Sequence, residues 1–143
     1  MHPSRRIWAG RAAASVAVVA LLGGALGGCG SSGPSASQRV CDKRAALNGA
    51  VSTVISSLRS GNLGEAKTHV SDVSQAFTEL AKSAQDLKAE ESQALRPQID
   101  EMTKTVDEVK RSQSLGALGA NLDMLGTQVR TLSAQIGDTL KCS

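Results

Sequence analysis

Residues 63–87 read LGEAKTHVSDVSQAFTELAKSAQDL, and their spacing decides the fold. Leu63, Ala66, Val70, Val73, Phe77, Leu80, Ala84 and Leu87 follow one another at alternating steps of three and four. An α-helix turns once in about 3.6 residues, so these side chains line one face. A stripe this narrow is the seam of a coiled-coil-like bundle. Leu115, Leu118, Leu122, Leu125, Val129, Leu132 and Ile136 repeat the pattern near the C-terminus. Val40, Leu47, Val51, Val54 and Leu58 form an earlier stripe, with Ile55 beside it. Leu95, Ile99, Met102, Val106 and Val109 form a third. Sustained two-residue alternation of β-branched or aromatic residues is absent, so no sheet is expected.

Punctuation between the stripes sets the boundaries. Gly61 stops the first helix, and Asn62-Leu63-Gly64-Glu65 fits an N-cap with a reciprocal Glu. Pro97 suits the first turn of a third helix, with Leu95 in the turn before it. Gly116 and Gly119 weaken the start of the fourth. The expected helices are 38–60, 63–90, 97–112 and 117–141. Short connections then give an antiparallel up-down-up-down four-helix bundle, all-α. A three-helix variant, with 92–112 merging into a neighbour, is the alternative. Residues 38–60 carry four basic and one acidic side chain, and residues 62–91 three basic and six acidic, so the first two helices should attract. Each exposed pair contributes only ~0.2–1 kcal/mol.

Ahead of the bundle lies an address. Residues 1–11 hold Arg5, Arg6 and Arg11, residues 12–28 are small and apolar, and Cys29 follows. A basic start, an apolar middle and small residues before a cut define a secretory leader. A retained helical anchor is the alternative. Leu26-Gly27-Gly28-Cys29 resembles a bacterial lipobox, in which the Cys thiol takes a diacylglyceryl group through a thioether. That resemblance makes 1–28 a lipoprotein signal peptide and Cys29 the lipidated (palmitate-type) residue. Two acyl chains, at ~0.8 kcal/mol per buried CH₂, anchor a protein stably where one does not. Ser4-Arg5-Arg6-Ile7-Trp8 is similar to a twin-arginine export motif, so both export routes are open. Residues 29–37 form the lipidated Cys and a flexible linker, GSSGPSAS, spanning roughly 15 Å. The expected location is the extracytoplasmic face of the cell membrane, with residues 38–143 as the bundle.

Charge narrows the function. The chain has 16 Lys and Arg against 13 Asp and Glu. The leader holds three of the bases and no acid, so the remainder is neutral overall. Nucleic acid is therefore not an expected partner. One Trp, one Phe and no Tyr leave no stacking platform. Arg39, Lys43, Arg44 and Lys141 should cluster at the linker end, diluted by Asp42 and Asp138. They are candidates for contact with anionic headgroups, against an ordinary solvated reading.

With Cys29 lipidated, Cys41 and Cys142 remain. An exported pair in an oxidising compartment points to a disulfide. An even number of antiparallel helices brings the two ends together. A redox pair would favour Cys-x-x-Cys spacing, and a zinc site would need more ligands than His69 supplies. His69 with Glu65 and Asp72 reads as a solvated rim cluster rather than a metal site. Asp100-Glu101 and Asp107-Glu108 read as an exposed face paired with Lys104 and Arg111. No nucleophile elbow or Walker loop occurs, so no catalytic residue, metal or cofactor is expected. Phe77 and Met102 belong to the core, while Met124 lies off the seam and marks an exposed surface. Gly116, Gly119 and Gly126 read as sites of close helix approach or fraying.

In layout, the chain resembles small secreted or lipid-anchored helical proteins of actinobacteria, of the mycobacterial type. The likeness rests on the lipobox at Cys29, Cys41, the segment Leu95-Arg96-Pro97-Gln98-Ile99-Asp100, and Cys142. It implies location and fold, and brings no activity with it. The expectation is a non-enzymatic envelope scaffold or docking module for another envelope component. A lipid or glycolipid carrier that opens its helices around a hydrophobic ligand is the alternative.

Overall fold

The computed structural model describes residues 33–143. The leader, the lipobox, Cys29 and the first linker residues lie outside the described residues. Four helices follow: α1 (Ala36–Arg59), α2 (Leu63–Gln85), α3 (Ala89–Arg111) and α4 (Leu115–Leu140). The described residues contain no strand. α1 packs on α2 and α4, and α3 packs on α2 and α4, closing a four-membered antiparallel ring. The all-α four-helix bundle read from the stripes is the fold. None of these helices is long and apolar enough to cross a membrane.

The seam residues fill the middle. Val40, Leu47, Val51 and Val54 of α1 are buried with Ala66, Val70, Val73, Phe77 and Leu80 of α2. Leu95, Met102, Val106 and Val109 of α3 join them, as do Leu118, Leu122, Leu125, Val129, Leu132 and Ile136 of α4. The lapses are few: Leu58, Leu63 and Ile99 are partly buried, and Leu115 is exposed.

Local chemistry sets the ends. Ser35 Oγ accepts the Gln38 N–H at 3.1 Å, and Ser114 Oγ accepts the Ala117 N–H at 3.2 Å. α1 therefore begins two residues into the expected linker, and Cys41 lies in its second turn. Asn62 Oδ1 accepts the Glu65 N–H at 3.0 Å while Asn62 Nδ2 donates to Glu65 Oε2 at 3.1 Å. Gly61 takes φ 74. The Gly61 N–H reaches Leu58 O at 2.9 Å and the Asn62 N–H reaches Ser57 O at 3.3 Å. This is a Schellman stop, and its left-handed residue is the reason Gly is needed there.

The α2–α3 junction departs from expectation. The turn is Asp86-Leu87-Lys88, and α3 starts at Ala89, two turns before Pro97. Leu87, read as a continuation of the α2 stripe, instead plugs the turn with its buried side chain. Pro97 sits inside α3 rather than at its first turn. Its missing N–H removes the bond to Gln93 O, but both residues are exposed, so water can solvate the freed carbonyl. One residue along, Ala94 O accepts Gln135 Nε2 from α4 at 2.6 Å. Packing of Leu95 overrides the local preference for ending a helix before proline.

Cys41 and Cys142 are joined by a disulfide with Cα atoms 5.8 Å apart and a sequence separation of 101. Lys141, the residue before Cys142, is the C-cap of α4 in the left-handed region, at φ 53 and ψ 46. That conformation is costly for an L side chain, and it turns the chain from the helix toward Cys41.

Two outcomes are expected. Pro97→Ala restores a helical bond and should raise stability by about 1–3 kcal/mol in urea unfolding; an unchanged midpoint would mean that solvation and Gln135 already offset the loss. Cys142→Ser should lower stability by about 2–5 kcal/mol, and reducing the native chain should reproduce that drop.

Candidate functional site

The four cations singled out at the linker end come from α1 and the α4 cap, and the fold divides them. Arg39 Nη1 donates to Pro34 O at 2.9 Å, and Nη2 pairs with Asp86 of the α2–α3 turn at 3.3 Å. Lys43 Nζ pairs with Glu79 of α2. Arg44 turns the other way: its Nη1 donates to Ser133 O of α4 at 3.2 Å. It lies 3.3 Å from where a Cβ on Gly137 would stand. Lys141 is exposed. The charge complementarity of α1 and α2 is thus realised in two cross-helix pairs. Three of the four cations are engaged within the bundle.

Glu79 records this pairing. Its carboxyl is held below the ordinary value of 4.5, first by the hydrogen bond from Lys43, then by that from Gln75 and by the charge of Lys43. A carboxyl whose folded pKa is depressed stabilises the fold above its unfolded pKa and loses that contribution as pH falls through the folded value.

His69 sits between its two acids without gathering them. Asp72 Oδ2 is 3.0 Å from Nδ1, and Glu65 Oε1 is 3.9 Å from Nε2, on the other side of the ring. Two carboxylates on opposite ring nitrogens do not converge on one ion with either nitrogen. Among the described residues no group of three His, Cys, Asp or Glu side chains is placed to hold a metal. On α3, Arg111 Nε donates to the Asp107 backbone carbonyl at 3.1 Å rather than to its carboxylate. The four residues Asp100, Lys104, Asp107 and Arg111 are exposed.

Several grooves run between helices. At the tip opposite the linker, α1 and α4 form an apolar groove of about 320 Å³. Ile55, Leu58, Leu115, Gly119 and Leu122 line it, with Arg59 and Asp123 also contributing. Leu115 is 41% exposed there. A Cβ at Gly116, Gly119 or Gly126 would meet nothing within 4 Å, so close helix approach does not require these glycines. The absence of a side chain at Gly119 leaves its stretch of the groove open. Between α2 and α3, Ala81, Gln85, Arg96, Ile99 and Asp100 border a second groove of about 300 Å³. Between α3 and α4, Gln98, Glu101, Thr127, Gln128 and Thr131 line a polar groove of about 240 Å³. Met124, on the same flank, is 50% exposed, and its sulfur accepts the Thr105 hydroxyl at 3.9 Å.

The apolar tip and the polar α3–α4 groove were not singled out in the sequence. The tip was within reach, because Leu115 belongs to a stripe that outruns its partners. The polar groove emerges only when α3 and α4 are set in register. Comparison with protein-family models, with curated proteins and with solved structures finds no match to this chain.

Acid unfolding is expected to report the α1–α2 pairing. The native chain should lose stability below pH 4.5, and Lys43→Met should remove part of that pH dependence while leaving the remainder. Identical acid profiles for the two chains would show that the pair does not contribute.

Proposed function

We propose that the chain is a lipid-anchored envelope protein whose bundle is a non-enzymatic docking module for another envelope protein. The leader and the lipobox-like Leu26-Gly27-Gly28-Cys29 support anchoring through an acylated Cys29 on the extracytoplasmic face. The layout resemblance to actinobacterial lipid-anchored proteins agrees with it. A disulfide that closes the bundle suits an oxidising compartment.

One observation carries docking over lipid carriage: the core is full while the tip is uncovered. Leu47, Leu80, Leu122, Leu132 and Ile136 are each 1% exposed, and Leu95 and Met102 are 0% exposed. A carrier needs room along the seam where these side chains stand. Leu115, by contrast, is open to solvent beside Ile55 and Leu58. A groove of this size accepts a few aliphatic side chains of a protein, with Arg59 and Asp123 available for polar contacts.

Headgroup contact by Arg39, Lys43, Arg44 and Lys141 has a secondary part in this reading. The first three already spend charge or hydrogen bonds on Asp86, Glu79 and Ser133. The two acyl chains hold the protein at the bilayer, and Lys141 is the cation best placed to meet it.

Two linked measurements test the proposal in a host that lipidates exported proteins. The native chain should incorporate labelled palmitate, and Cys29→Ala should lose the label; retention would refute the anchor. A photo-crosslinker at position 115 should give a discrete adduct that a crosslinker at exposed position 68 does not. Gly119→Lys, which fills the groove, should abolish that adduct without lowering the melting temperature. Equal adducts at both positions would refute docking at the tip.

A further inference from the structure

The apolar tip between α1 and α4 carries two charges of opposite sign, one on each wall. Arg59 ends α1, and Asp123 stands on α4. Both are exposed, and neither forms a salt bridge among the described residues. Between them the groove is apolar. Ile55 and Leu58 stand on the α1 wall, and Leu115 stands with the side-chain-free Gly119 on the α4 wall. α1 thus presents aliphatic side chains and a cation, while α4 presents one aliphatic side chain, a gap and an anion. A surface divided in this way is complementary to itself under two-fold rotation, where residue i meets residue j and j meets i.

Seven residues line the groove, whereas a stable interface takes roughly 20–30 residues a side. The surface that continues from it is suited to supply the rest. Residues 45–58 of α1 include no charged side chain, and between 112 and 129 Asp123 is the only one. α3, by contrast, carries ten charged residues among 23. Toward the disulfide, the facing rows of α1 and α4 continue as Ser52 and Asn48, and as Gly126 and Ser133. Asn48 Nδ2 donates to Ser133 Oγ at 3.3 Å, which sets the two rows side by side. A Cβ at Gly119 or Gly126 would meet nothing within 4 Å, so this side of α4 is low enough for another helix to lie close. The centres of protein interfaces are depleted of charge, and this flank has little charge to bury.

We propose that the tip pairs with the tip of a second copy of this chain, about a two-fold axis parallel to the helices. The proposal rests on the docking reading and specifies the docked protein as another molecule of the same chain. The rotation lays each α1 over the α4 of the other protomer. Ile55 and Leu58 of one protomer then face the gap at Gly119 of the other, and Leu115 covers the opposite α1 wall. Arg59 of each protomer meets Asp123 of the other, giving two ion pairs. One operation thus covers the exposed aliphatic surface and partners both charges. An axis across the helices would instead set α1 on α1 and α4 on α4, turning each charge toward its own kind, which is unfavourable. The parallel axis also leaves Gly33 of both protomers at one end of the pair, as two chains tethered to one surface by their N-terminal linkers require.

The test uses the full chain, disulfide intact, in a host that lipidates exported proteins. Two versions with different epitope tags are produced together, each with a photo-crosslinker at position 115. An adduct of twice the chain mass that carries both tags is expected. Arg59→Asp alone, or Asp123→Arg alone, sets like charges together at both pairs and should cut that adduct about tenfold. Both residues are exposed, so each variant should melt at the native temperature. Producing the two variants together, one under each tag, restores opposite charges at both pairs and should return the mixed adduct to the native level. A fold damaged in either variant would not give that rescue. An adduct joining this chain to a different protein would overturn the second-copy proposal and leave docking at the tip standing. No adduct at position 115 would overturn both. A two-tag adduct that neither variant weakens, or that mixing the variants fails to restore, would overturn the two-fold pairing.

Discussion

Closure of α4 against α1 is the contact on which the rest of the bundle depends. α1–α2 and α3–α4 are hairpins of neighbours in sequence and form over short loops. The α1–α4 contact joins the two ends of the described chain, so forming it costs the most chain entropy. It is also the most heavily pinned. The Cys41–Cys142 bond fixes it at the linker end. Below that, Arg44 Nη1 reaches Ser133 O at 3.2 Å, and Asn48 Nδ2 reaches Ser133 Oγ at 3.3 Å. With the ring closed, four separate apolar stripes become one core. Without closure, the buried faces of α1 and α4 would meet water.

The legible and illegible parts of this fold divide along physical lines. The stripes of α2 and α4 were plain because each obeys one helix's own period. The Gly61 stop and the Asn62–Glu65 cap were plain because they depend on residues three or four apart. The α3 start was not, since Pro97 and Leu87 both follow local rules that tertiary packing overrides. Leu95 at 0% exposure shows that the two turns before Pro97 are held by the core. The sequence places Arg39, Lys43 and Arg44 near the start of α1 but does not give their rotation about it. That rotation sends Arg39 and Lys43 to α2 and Arg44 to α4. The glutamines of the α3–α4 groove carried no signal at all, because neutral polar residues on a helix flank look alike until the partner helix sets the register. Antiparallel packing places Glu101 against Gln128 and Ala94 against Gln135.

The flanks differ in how fully their polar groups are satisfied. On the α1–α2 flank, Arg39, Lys43, Asp86 and Glu79 meet in opposite-charge pairs. The α3–α4 groove is lined by amides, hydroxyls and the Glu101 carboxylate. The α1–α4 tip is apolar and uncovered. A rigid closed ring keeps these three chemistries facing in different directions.

α4 joins these properties together. It carries Gly116, Gly119, Gly126 and Gly137, and a helical glycine costs about 1 kcal/mol relative to alanine. A Cβ at the first three would meet nothing within 4 Å, so packing inside the monomer does not repay that cost. The helix is therefore sustained by its six buried aliphatic side chains, by the Ser114 cap and by the bond from Cys142. α1 and α2 carry one glycine each, and α3 carries none but contains Pro97. α4, the helix with the most glycines, supplies a wall to both the apolar tip and the polar α3–α4 groove. Ring closure thus determines whether either surface exists: loosening α4 from α1 opens the tip groove directly, and it removes the backing that holds Gln128 and Gln135 against α3.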